Sequence, residues 1–420
     1  MKRKLVIIVL VILSVTALPS FANNIPSVQP SGDSVILNLP QGFSARLIAA
    51  NVGAARHIAV TKQGNIYVKL GKLKDGKGIY YLSDTDGDGN IDRQTAFGDY
   101  AGTGIAIKDG YLYASSNDAV YRYRLNEKEE VINPDAPEKI ITGLVNRNRD
   151  NSKSIALDNK GNIYVNVGSY INACLLEPNA TKAPNPCPLL DSIGGIWQFK
   201  INKLNQTYSD GVHYATGLKN VVGLDWNTQT KSLFVMQHGR DQLHDLYPQY
   251  YTVEQNGVQP AETMYELHKG SDAGWPYMYY DPILKQYMLS PEYGGDGKTV
   301  ATRKAQLPDM VFPAHLAPNG LLFYTGNSFP QKYKSGAFIA FHGLSPQLQK
   351  GYLVAFVPFK KGKPSGDWEV FADGFAGISD FKSGAKVQQR PCGLAIGPDG
   401  AIYVSDDSKG AIYRITYTGK

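Results

Sequence analysis

A run of acidic residues in the first quarter of the chain has the composition of a calcium-binding loop. Residues 84–92 read DTDGDGNID, and carboxylates at alternate positions converge on one hard cation while the intervening glycines permit a tight turn. The candidate oxygen ligands are Asp84, Asp86, Asp88, Asn90 and Asp92. Thr95 stands where an EF-hand loop has its closing Glu, and residues 78–82 read as a strand. We expect a structural calcium site in a β-turn; the alternative is an acidic turn that is simply hydrated.

A second group of residues that could bind a ligand or take part in a reaction is spread over the whole chain. Several cations and two Asn side chains suit an anionic planar ligand held by charge-assisted hydrogen bonds, although each residue alone would read as surface charge. Every member stands just before or just after one of six repeated hairpins. The group comprises Arg56, His57, Asp150, Asn151, Lys219, Asn220, residues 238–241 (HGRD), His315, His342 and Arg390.

The repeated unit is a short apolar run, a polar turn containing Gly or Asn, and a second β-rich run. This pattern predicts an antiparallel hairpin, and its repetition indicates a β-propeller. The units are Ile58–Val68, Ile105–Ala114, Ile155–Val165, Leu224–Val235, Leu321–Ala340 and Leu394–Val404. We therefore predict an all-β chain in which residues 35–420 form one six-bladed β-propeller, with the candidate residues in loops around one central mouth.

Two departures from the repeat bear on the architecture. Residues 34–49 read as one or two strands that precede the first hairpin, and we expect them to share a blade with residues 410–417, closing the ring. The fourth and fifth units start at residues 224 and 321, about twice the earlier spacing, so we expect a long insertion over about 237–310. Such an insertion commonly helps to build a binding face, and the alternative is a surface loop.

The N-terminus has the form of an export signal. Lys2, Arg3 and Lys4 precede a mostly apolar stretch, and residues 20–22 (SFA) fit a cleavage site, so residues 1–22 read as a signal peptide. Residues 23–34 read as a polar arm, and the predicted location is periplasmic or secreted. A membrane anchor is the less favoured reading, and no later apolar stretch is long enough to span a membrane.

Charge and cysteine content agree with an exported chain. Losing three basic residues with the signal lowers the formal charge from +6 to +3, which gives no argument for nucleic acid as a partner. Cys174 and Cys187 bracket a Pro-rich loop, and in an oxidising compartment we expect them to be bridged; two free thiols are the alternative. Cys392 is left over and is expected to be buried.

An ordered series of motifs resembles a known family. The stretches that carry the resemblance are TGLKNVVGLDW (216–226), QHGRDQL (237–243), GSDAGWP (270–276), GLLFYTGNSFP (320–330), FIAFHG (338–343) with GYLVAFVPF (351–359), and RPCGLAIGPDGAIYVSDDSKGAIYRI (390–415). They resemble the soluble glucose/sorbosone dehydrogenases, six-bladed propellers that use pyrroloquinoline quinone (PQQ), and most closely the L-sorbosone dehydrogenase-like branch. The resemblance implies PQQ and calcium as cofactors and a sugar-like substrate.

The resemblance also assigns roles to residues. Lys219 and Asn220 match an Arg-Asn pair that contacts the quinone, and Arg390 matches a basic residue that contacts a cofactor carboxylate. Gly239 and Arg240 match the loop whose backbone carbonyls hold the catalytic calcium. His342 opens a further cofactor-binding segment, although Leu344-Ser345-Pro346 replace its Trp and Arg. Arg56, one of the cations next to the hairpin repeats, is also a cofactor-binding candidate.

The general base is the main departure from the family. Asp150 stands where the family has a His, five residues before the third hairpin, and a carboxylate can also remove a hydroxyl proton. The leading hypothesis is thus an exported quinoprotein dehydrogenase that oxidises a sugar or related hydroxyl or aldehyde substrate by hydride transfer to PQQ, with electrons passing to an unidentified acceptor. A non-catalytic propeller that binds a sugar or peptide is the second reading. A calcium-dependent hydrolase such as a lactonase is the third.

Overall fold

Six blades, each built on four antiparallel strands, are arranged around one axis; β17 adds a short fifth strand, parallel to β13, to the sheet of blade three. The structure is a computed structural model that describes residues 36–147, 149–177, 180–345, 349–381 and 386–419. The signal peptide and the polar arm lie outside the described residues. The predicted six-bladed β-propeller is confirmed, because each hairpin repeat forms the first two strands of one blade.

The strands follow one another blade by blade. The N-terminal strand is β1 (Phe43–Ala49). Blade one is β2 (Ala55–Val60), β3 (Ile66–Lys74), β4 (Lys77–Ser83) and β5 (Arg93–Phe97). Blade two is β6 (Ile105–Lys108), β7 (Tyr111–Ser115), β8 (Val120–Arg124) and β9 (Glu138–Ile141). Blade three is β10 (Ile155–Leu157), β11 (Asn162–Val167), β12 (Gly195–Lys200) and β13 (Val212–Thr216).

The remaining blades include the long insertions. Blade four is β14 (Asn220–Asn227), β15 (Ser232–His238) and β16 (Glu262–Leu267), completed after β17 (Ser271–Asp272), β18 (Met278–Asp281) and β19 (Gln286–Leu289) by β20 (Met310–Phe312). Blade five is β21 (Pro318–Phe323), β22 (Ala337–Ser345) and β23 (Lys350–Val357), completed after the small hairpin β24 (Phe359–Lys360) and β25 (Lys363–Pro364) by β26 (Glu369–Ala372). Blade six is β27 (Pro391–Ile396), β28 (Ile402–Asp406) and β29 (Ile412–Tyr417), with β1 as its outer strand.

Ring closure joins the two ends of the described chain. Strand β1 pairs antiparallel with β29 from Phe43 opposite Tyr417 to Ala49 opposite Ile412, as the sequence predicted. Phe43 packs against Phe329 and Phe371 of blade five, so the closing strand also fills the seam between two blades. The pairing of β1 with β29 thus places the first and last described strands in one blade and closes the ring.

The alternation of strand direction decides which loops meet. The first strand of each blade lies innermost, and the six innermost strands contact one another around the axis. They begin on one face, here called the mouth, and end on the opposite face, here called the far face. Because neighbouring strands are antiparallel, loops that follow the second strand of a blade also lie at the mouth, whereas loops that follow the third lie at the far face.

Two long segments interrupt blade four. Residues 239–261 follow its second strand at the mouth and carry the short helices α1 (Leu243–Leu246) and α2 (Val253–Val258). Residues 268–309 follow its third strand, start at the far face, and carry β17 to β19, of which β17 runs parallel to β13 toward the mouth. The Cys174–Cys187 disulfide is present, with Cα atoms 6.0 Å apart, and the Cys187 N–H donates to the Tyr277 hydroxyl at 2.9 Å. Cys392 is a buried free thiol, as expected. Within the part of the chain described, no helix is long and apolar enough to cross a bilayer.

Candidate functional site

The mouth contains a cavity of about 790 Å³ between the loops of blades one, two, three and six. Its charged lining consists of Arg56, Lys72, Lys74, Arg390, Lys409 and the single carboxylate Asp407. Five cations face one anion, so the wall carries a clear excess of positive charge. A concave site with this charge attracts a small anionic ligand.

Asp407 is the centre of the polar network on this wall. One carboxylate oxygen accepts from Arg56 at 3.1 Å, and the other lies 2.9 Å from Arg390 and 2.8 Å from His342 Nε2. Burial by itself raises the pKa of Asp407, but the hydrogen bond from His342 and the charges of Arg56 and Arg390 outweigh it and hold the pKa well below its usual range. The network fixes both guanidinium groups at the edge of the cavity.

A second ionic cluster lies on the blade-three and blade-four side of the mouth. The buried Lys219 ammonium is 2.9 Å from Asp150 and 3.7 Å from Asp241. Arg149 bonds Asp241 at 2.8 Å and lies 3.6 Å from Asp150. Two cations and two carboxylates therefore balance each other here, and His315 lies 3.7 Å from Asp241 at the edge of the cluster.

A chain of hydrogen bonds joins the two clusters. Asn220 donates to Asp150 at 3.5 Å and accepts from Asn166 at 3.2 Å, and Asn166 also donates to the Ser152 carbonyl at 2.9 Å. Arg56 then donates to the Ser152 hydroxyl at 3.1 Å. The structure therefore brings Asp150, Lys219, Asn220, Arg56, His342 and Arg390 together on one face.

Arg240 does not belong to this cationic mouth. Its guanidinium is buried in a 2.6 Å pair with Glu292, which is itself fully buried in the insertion. The sequence suggested that the Arg240 side chain would point inward at a ligand, and this expectation was wrong because the insertion supplies a buried counter-charge. The backbone of the same loop is held by Glu262, whose carboxylate accepts the Gly239 N–H at 2.9 Å.

The four histidines near the mouth differ in charge state and contacts. Burial lowers the pKa of His57 and of His238 to about 4, so both are neutral at pH 7, and each ring lies against a backbone carbonyl. Burial also lowers the pKa of His342, against the opposing effect of Asp407. His315 differs: burial lowers its pKa, but the bond to Asp241 more than compensates and raises it.

Asp150 has an unusual backbone for a non-glycine residue. Its φ is 47°, and Gln242, His315 and Ala317 around the same part of the mouth also have positive φ. Such conformations cost about 1–3 kcal/mol each and cluster at functional sites. The Asp150 side chain is largely buried but is held by Lys219 and Arg149 rather than standing alone in an apolar pocket.

The acidic loop at 84–92 lies at the far face, because it connects β4 to β5. Oxygens of Asp84, Asp86 and Asp88 lie within 4.8 Å of one another, as a shared cation would require. Asp92 is engaged elsewhere, since both of its oxygens accept from the Thr85 N–H at 3.1 Å. Asn90 receives a hydrogen bond from Arg46. A cation bound here would be remote from the mouth. This position agrees with the predicted structural role and not with a role in chemistry at the mouth.

Several residues of the mouth escaped the sequence reading. Asp407, Arg149, Glu262 and the lysines at 72, 74 and 409 were not singled out. A usable signal exists for Asp407, which follows the second strand of the sixth hairpin as an Asp-Asp doublet. No comparable pattern marks Glu262, which sits inside an apolar strand and is buried.

Among the described residues, the central channel does not present the ligands of a hydrolase-type calcium site. It contains a cavity of about 230 Å³ lined mainly by apolar residues of the innermost strands. Asp225 is the one carboxylate among the described residues that line it, and it accepts the N–H groups of Phe323 and Trp226 at 2.8 Å. A calcium-dependent hydrolase needs several oxygen ligands around the axis, and this lining does not supply them.

The chain is thus a six-bladed propeller whose mouth carries an excess of positive charge. The chain belongs to the TrAA12-like family, whose model matches residues 37–281 and 282–418. An uncharacterised protein of Borreliella burgdorferi is 27% identical over 399 residues, covering 91% of each chain. A pyrroloquinoline quinone-dependent sugar dehydrogenase of Hypocrea jecorina is 23% identical over 405 residues, covering 89% of this chain and 87% of that protein. The family match does not distinguish a sorbosone branch.

Solved structures share the fold at low sequence identity. The holo PQQ domain of pyranose dehydrogenase from Coprinopsis cinerea has a TM-score of 0.72 at 19% identity, covering 91% of this chain and 97% of that one. The calcium structure of the Trichoderma reesei carbohydrate-active enzyme of family AA12 has a TM-score of 0.73 at 21% identity, covering 94% and 99%. At these identities the likeness establishes the propeller fold alone.

Proposed function

We propose that this chain is an exported quinoprotein dehydrogenase that oxidises a sugar or related hydroxyl or aldehyde substrate by hydride transfer to PQQ. The observation that carries the proposal is the cationic mouth, where Arg56, Arg390 and Lys219 occupy one hydrogen-bonded network on one face. Membership of the TrAA12-like family and the relative in Hypocrea jecorina support the same chemistry.

The residues present fit a tricarboxylate cofactor. Five cations and one carboxylate line the cavity, and the buried Nε of Arg390 has no hydrogen-bond partner among the described residues. Arg56 and Arg390 are therefore the groups that would bind cofactor carboxylates. We propose that Lys219 and Asn220, which the hydrogen-bond chain through Asn166 and Ser152 joins to Arg56, and His342, which bonds Asp407, complete the cofactor site. Bound PQQ would supply the hydride acceptor, and a calcium ion would polarise its reactive carbonyl.

The calcium position also fits the backbone at residues 239–241. A Cβ on Gly239 would lie 3.0 and 3.2 Å from the carbonyl oxygens of Ala261 and Pro260, a tight contact, so glycine favours this close approach of two chain segments. Glu262 fixes the segment by accepting the Gly239 N–H and, at 3.3 Å, the Ala317 N–H. The carbonyl oxygens of Gly239 and Arg240 are hard ligands of the type that calcium prefers.

The chain's own part in the reaction is to orient the substrate and to take its proton. We propose that an Asp150 carboxylate oxygen accepts the proton of the substrate hydroxyl while the Lys219 ammonium stabilises the negative charge that develops on the substrate oxygen. Asp150 is a carboxylate at the mouth with a constrained backbone, 2.9 Å from a buried ammonium.

Reconstitution tests the proposal directly. Adding PQQ and calcium to the purified protein should produce the absorbance of bound quinone and dye-linked oxidation of aldoses. Absence of both binding and oxidation would refute the proposal. If the protein binds the quinone and oxidises aldoses, the variant Asp150→Ala tests the proposed base. It should retain the bound quinone and lose most of its turnover, and unchanged turnover would show that Asp150 is not the base.

One observation favours a second candidate, a non-catalytic propeller that binds a sugar or peptide. The Asp150 carboxylate already contacts two cations, Lys219 and Arg149, and so could serve only to hold the mouth together. This candidate predicts ligand binding without turnover in the reconstituted protein. In that case Asp150→Ala would lower thermal stability and have no turnover to change.

Export is part of the proposal and is tested separately. Residues 1–22 supply the proposed signal, and the far-face loop at 84–92 is proposed to bind a structural calcium ion through Asp84, Asp86 and Asp88. Cell fractionation with N-terminal sequencing should place the mature protein in the periplasm or medium, beginning near Asn23. A chelator should lower the melting temperature of the wild type more than that of Asp86→Asn.

A further inference from the structure

The positive charge of the mouth is concentrated on one side. On the blade-three and blade-four side, Lys219 and Arg149 are balanced by Asp150 and Asp241. On the opposite side, formed by blades one and six, Asp407 is the single carboxylate in the cavity wall, and it is already shared between Arg56 and Arg390.

The two outermost lysines of that wall have no counter-charge. Lys72 and Lys409 are exposed, line the cavity, and make no ion pair or hydrogen bond through their ammonium groups to any residue in the described ranges. Lys74 differs, since its ammonium donates to the Asn51 carbonyl and lies over the Tyr80 ring. Two exposed lysines whose ammonium groups have no partner among the described residues therefore line the same cavity as the arginines.

The backbone under Lys72 is firmly anchored. The Gly71 N–H donates to the Ala54 carbonyl at 2.8 Å, and the Gly102 N–H donates to the Leu70 carbonyl at 2.9 Å. Gly71 also lacks a Cβ that would lie 3.0 Å from the Arg56 side chain. The end of β3 is thus held between the loops of two blades, and Lys72 projects from a fixed point.

Lys409 projects from an equally fixed turn. The buried Asp406 accepts the Lys409 N–H at 2.7 Å and the Ser408 N–H at 3.0 Å. The Val52 N–H donates to the Gly410 carbonyl at 3.0 Å, which locks the turn against the loop before blade one. Both lysines therefore project from backbone that is held by hydrogen bonds to neighbouring loops.

Charge accounting shows that the cofactor would not neutralise the cavity wall. Five cations and one carboxylate leave four positive charges on the wall, a tricarboxylate would cancel three of them, and a calcium ion would add two. The loaded site therefore stays positive, and Lys72, Lys74 and Lys409 are the cations of its wall that have no carboxylate partner among the described residues. A neutral sugar gains nothing from that charge, whereas an anionic one does.

We propose that Lys72 and Lys409 form a subsite for an anionic group on the substrate, so that the preferred substrate is an acidic saccharide bearing a carboxylate or a phosphate. The inference rests on the proposed function and names the substrate class for that site.

Matched sugars test the subsite in the protein reconstituted with PQQ and calcium. Glucose, glucuronate and glucose 6-phosphate share a ring and differ in the anionic group. At low salt, kcat/KM for at least one acidic sugar should exceed that for glucose by about tenfold, mainly through KM, and the advantage should shrink as salt rises. The arm with the larger advantage distinguishes the carboxylate from the phosphate.

The ratio of kcat/KM for the acidic sugar to kcat/KM for glucose should fall close to one in the double variant Lys72→Gln/Lys409→Gln. Lys269→Gln is the matched control, because Lys269 is exposed at the far face after β16 and should leave the ratio as in the wild type. Equal kcat/KM for all three sugars, or a ratio unchanged in the double variant, would overturn the proposal while leaving the quinoprotein assignment intact.

Calorimetry provides an arm that needs no turnover. Glucuronate or glucose 6-phosphate should bind the protein at least about fivefold more tightly than glucose, and the double variant should abolish the difference. If quinone binding fails, the proposed function falls, and this measurement still decides the subsite. Acidic and neutral sugars of equal affinity would refute it.

Discussion

Asp407→Asn offers the sharpest test of the mouth as described. The substitution keeps the shape of the side chain and removes the charge that Arg56, Arg390 and His342 share at 3.1, 2.9 and 2.8 Å. An amide presents one acceptor and one donor in place of two acceptors. Two guanidinium groups then face each other across the cavity edge without their common anion.

The expected loss of stability can be bounded from burial. The Asp407 side chain is 7% exposed, and removing one partner of a buried ion pair costs about 3–5 kcal/mol. The partners moderate this value, because Arg56 is 17% and Arg390 is 39% exposed and both regain some hydration. We therefore expect the free energy of unfolding to fall by about 2–4 kcal/mol in the protein without cofactor.

The cofactor should change this result in a specific way. Arg56 and Arg390 are the groups proposed to bind cofactor carboxylates, so PQQ would supply the anion that the variant lacks. Urea unfolding should thus show a smaller difference between wild type and variant with PQQ than without it. A variant as stable as the wild type, or a difference that PQQ leaves unchanged, would refute the reasoning.

The pH dependence provides a second check with a defined sign. The pKa of Asp407 is depressed in the folded protein, so its contribution to stability is present above the unfolded pKa of 3.8 and is lost as pH falls below it. The gap between wild type and Asp407→Asn should close in acid. Glu369→Gln is the control, because Glu369 pairs with Lys332 at the surface and should cost less than about 1 kcal/mol.

Three further predictions address separate parts of the molecule. Lys219→Met should weaken PQQ binding by about 1.5–3 kcal/mol, measured by absorbance titration, and unchanged affinity would place the cofactor elsewhere. Burial raises the pKa of Asp225 from 3.8 to about 7, so its contribution to stability is full below pH 3.8 and is lost as pH rises through 7. Asp225→Asn should therefore flatten the dependence of the melting temperature on pH across that window, and an unchanged slope would contradict the burial argument. Replacing Cys174 and Cys187 by Ser should cost about 2–3 kcal/mol in chemical unfolding because a 13-residue separation is closed; equal stability under oxidising conditions would show the loop to be held by other contacts.

Much of the fold was readable from the sequence because hairpins are local. The run Ile58–Val68 pairs Ile58 with Val68 across a short polar turn, so strand alternation and turn chemistry alone predict it. The same holds for Leu394–Val404, in which Leu394 faces Val404. Repetition of such units then indicates the propeller, because each hairpin must bury its faces against neighbours.

Sequence motifs also located several residues of the mouth. Lys219 and Arg390 precede innermost strands, and the propeller topology places the beginnings of those strands on one face. Arg240 shows the limit of this reasoning. It has the same chemical character and also lies in a mouth loop, but Glu292, 52 residues further on, pairs with it inside the insertion. Nothing local to residue 240 announces that partner.

What the sequence determined by itself was the set of hairpins, the order of the blades and the list of cations near their ends, because these depend on short-range pattern. Only the tertiary structure decided which of these cations face the cavity and which are paired with a buried carboxylate. Arg56 and Asp407 are 351 residues apart and meet because ring closure brings blade one beside blade six. The charge imbalance of the mouth is a property of that closed ring, since an ion pair depends on distance in space rather than separation along the chain.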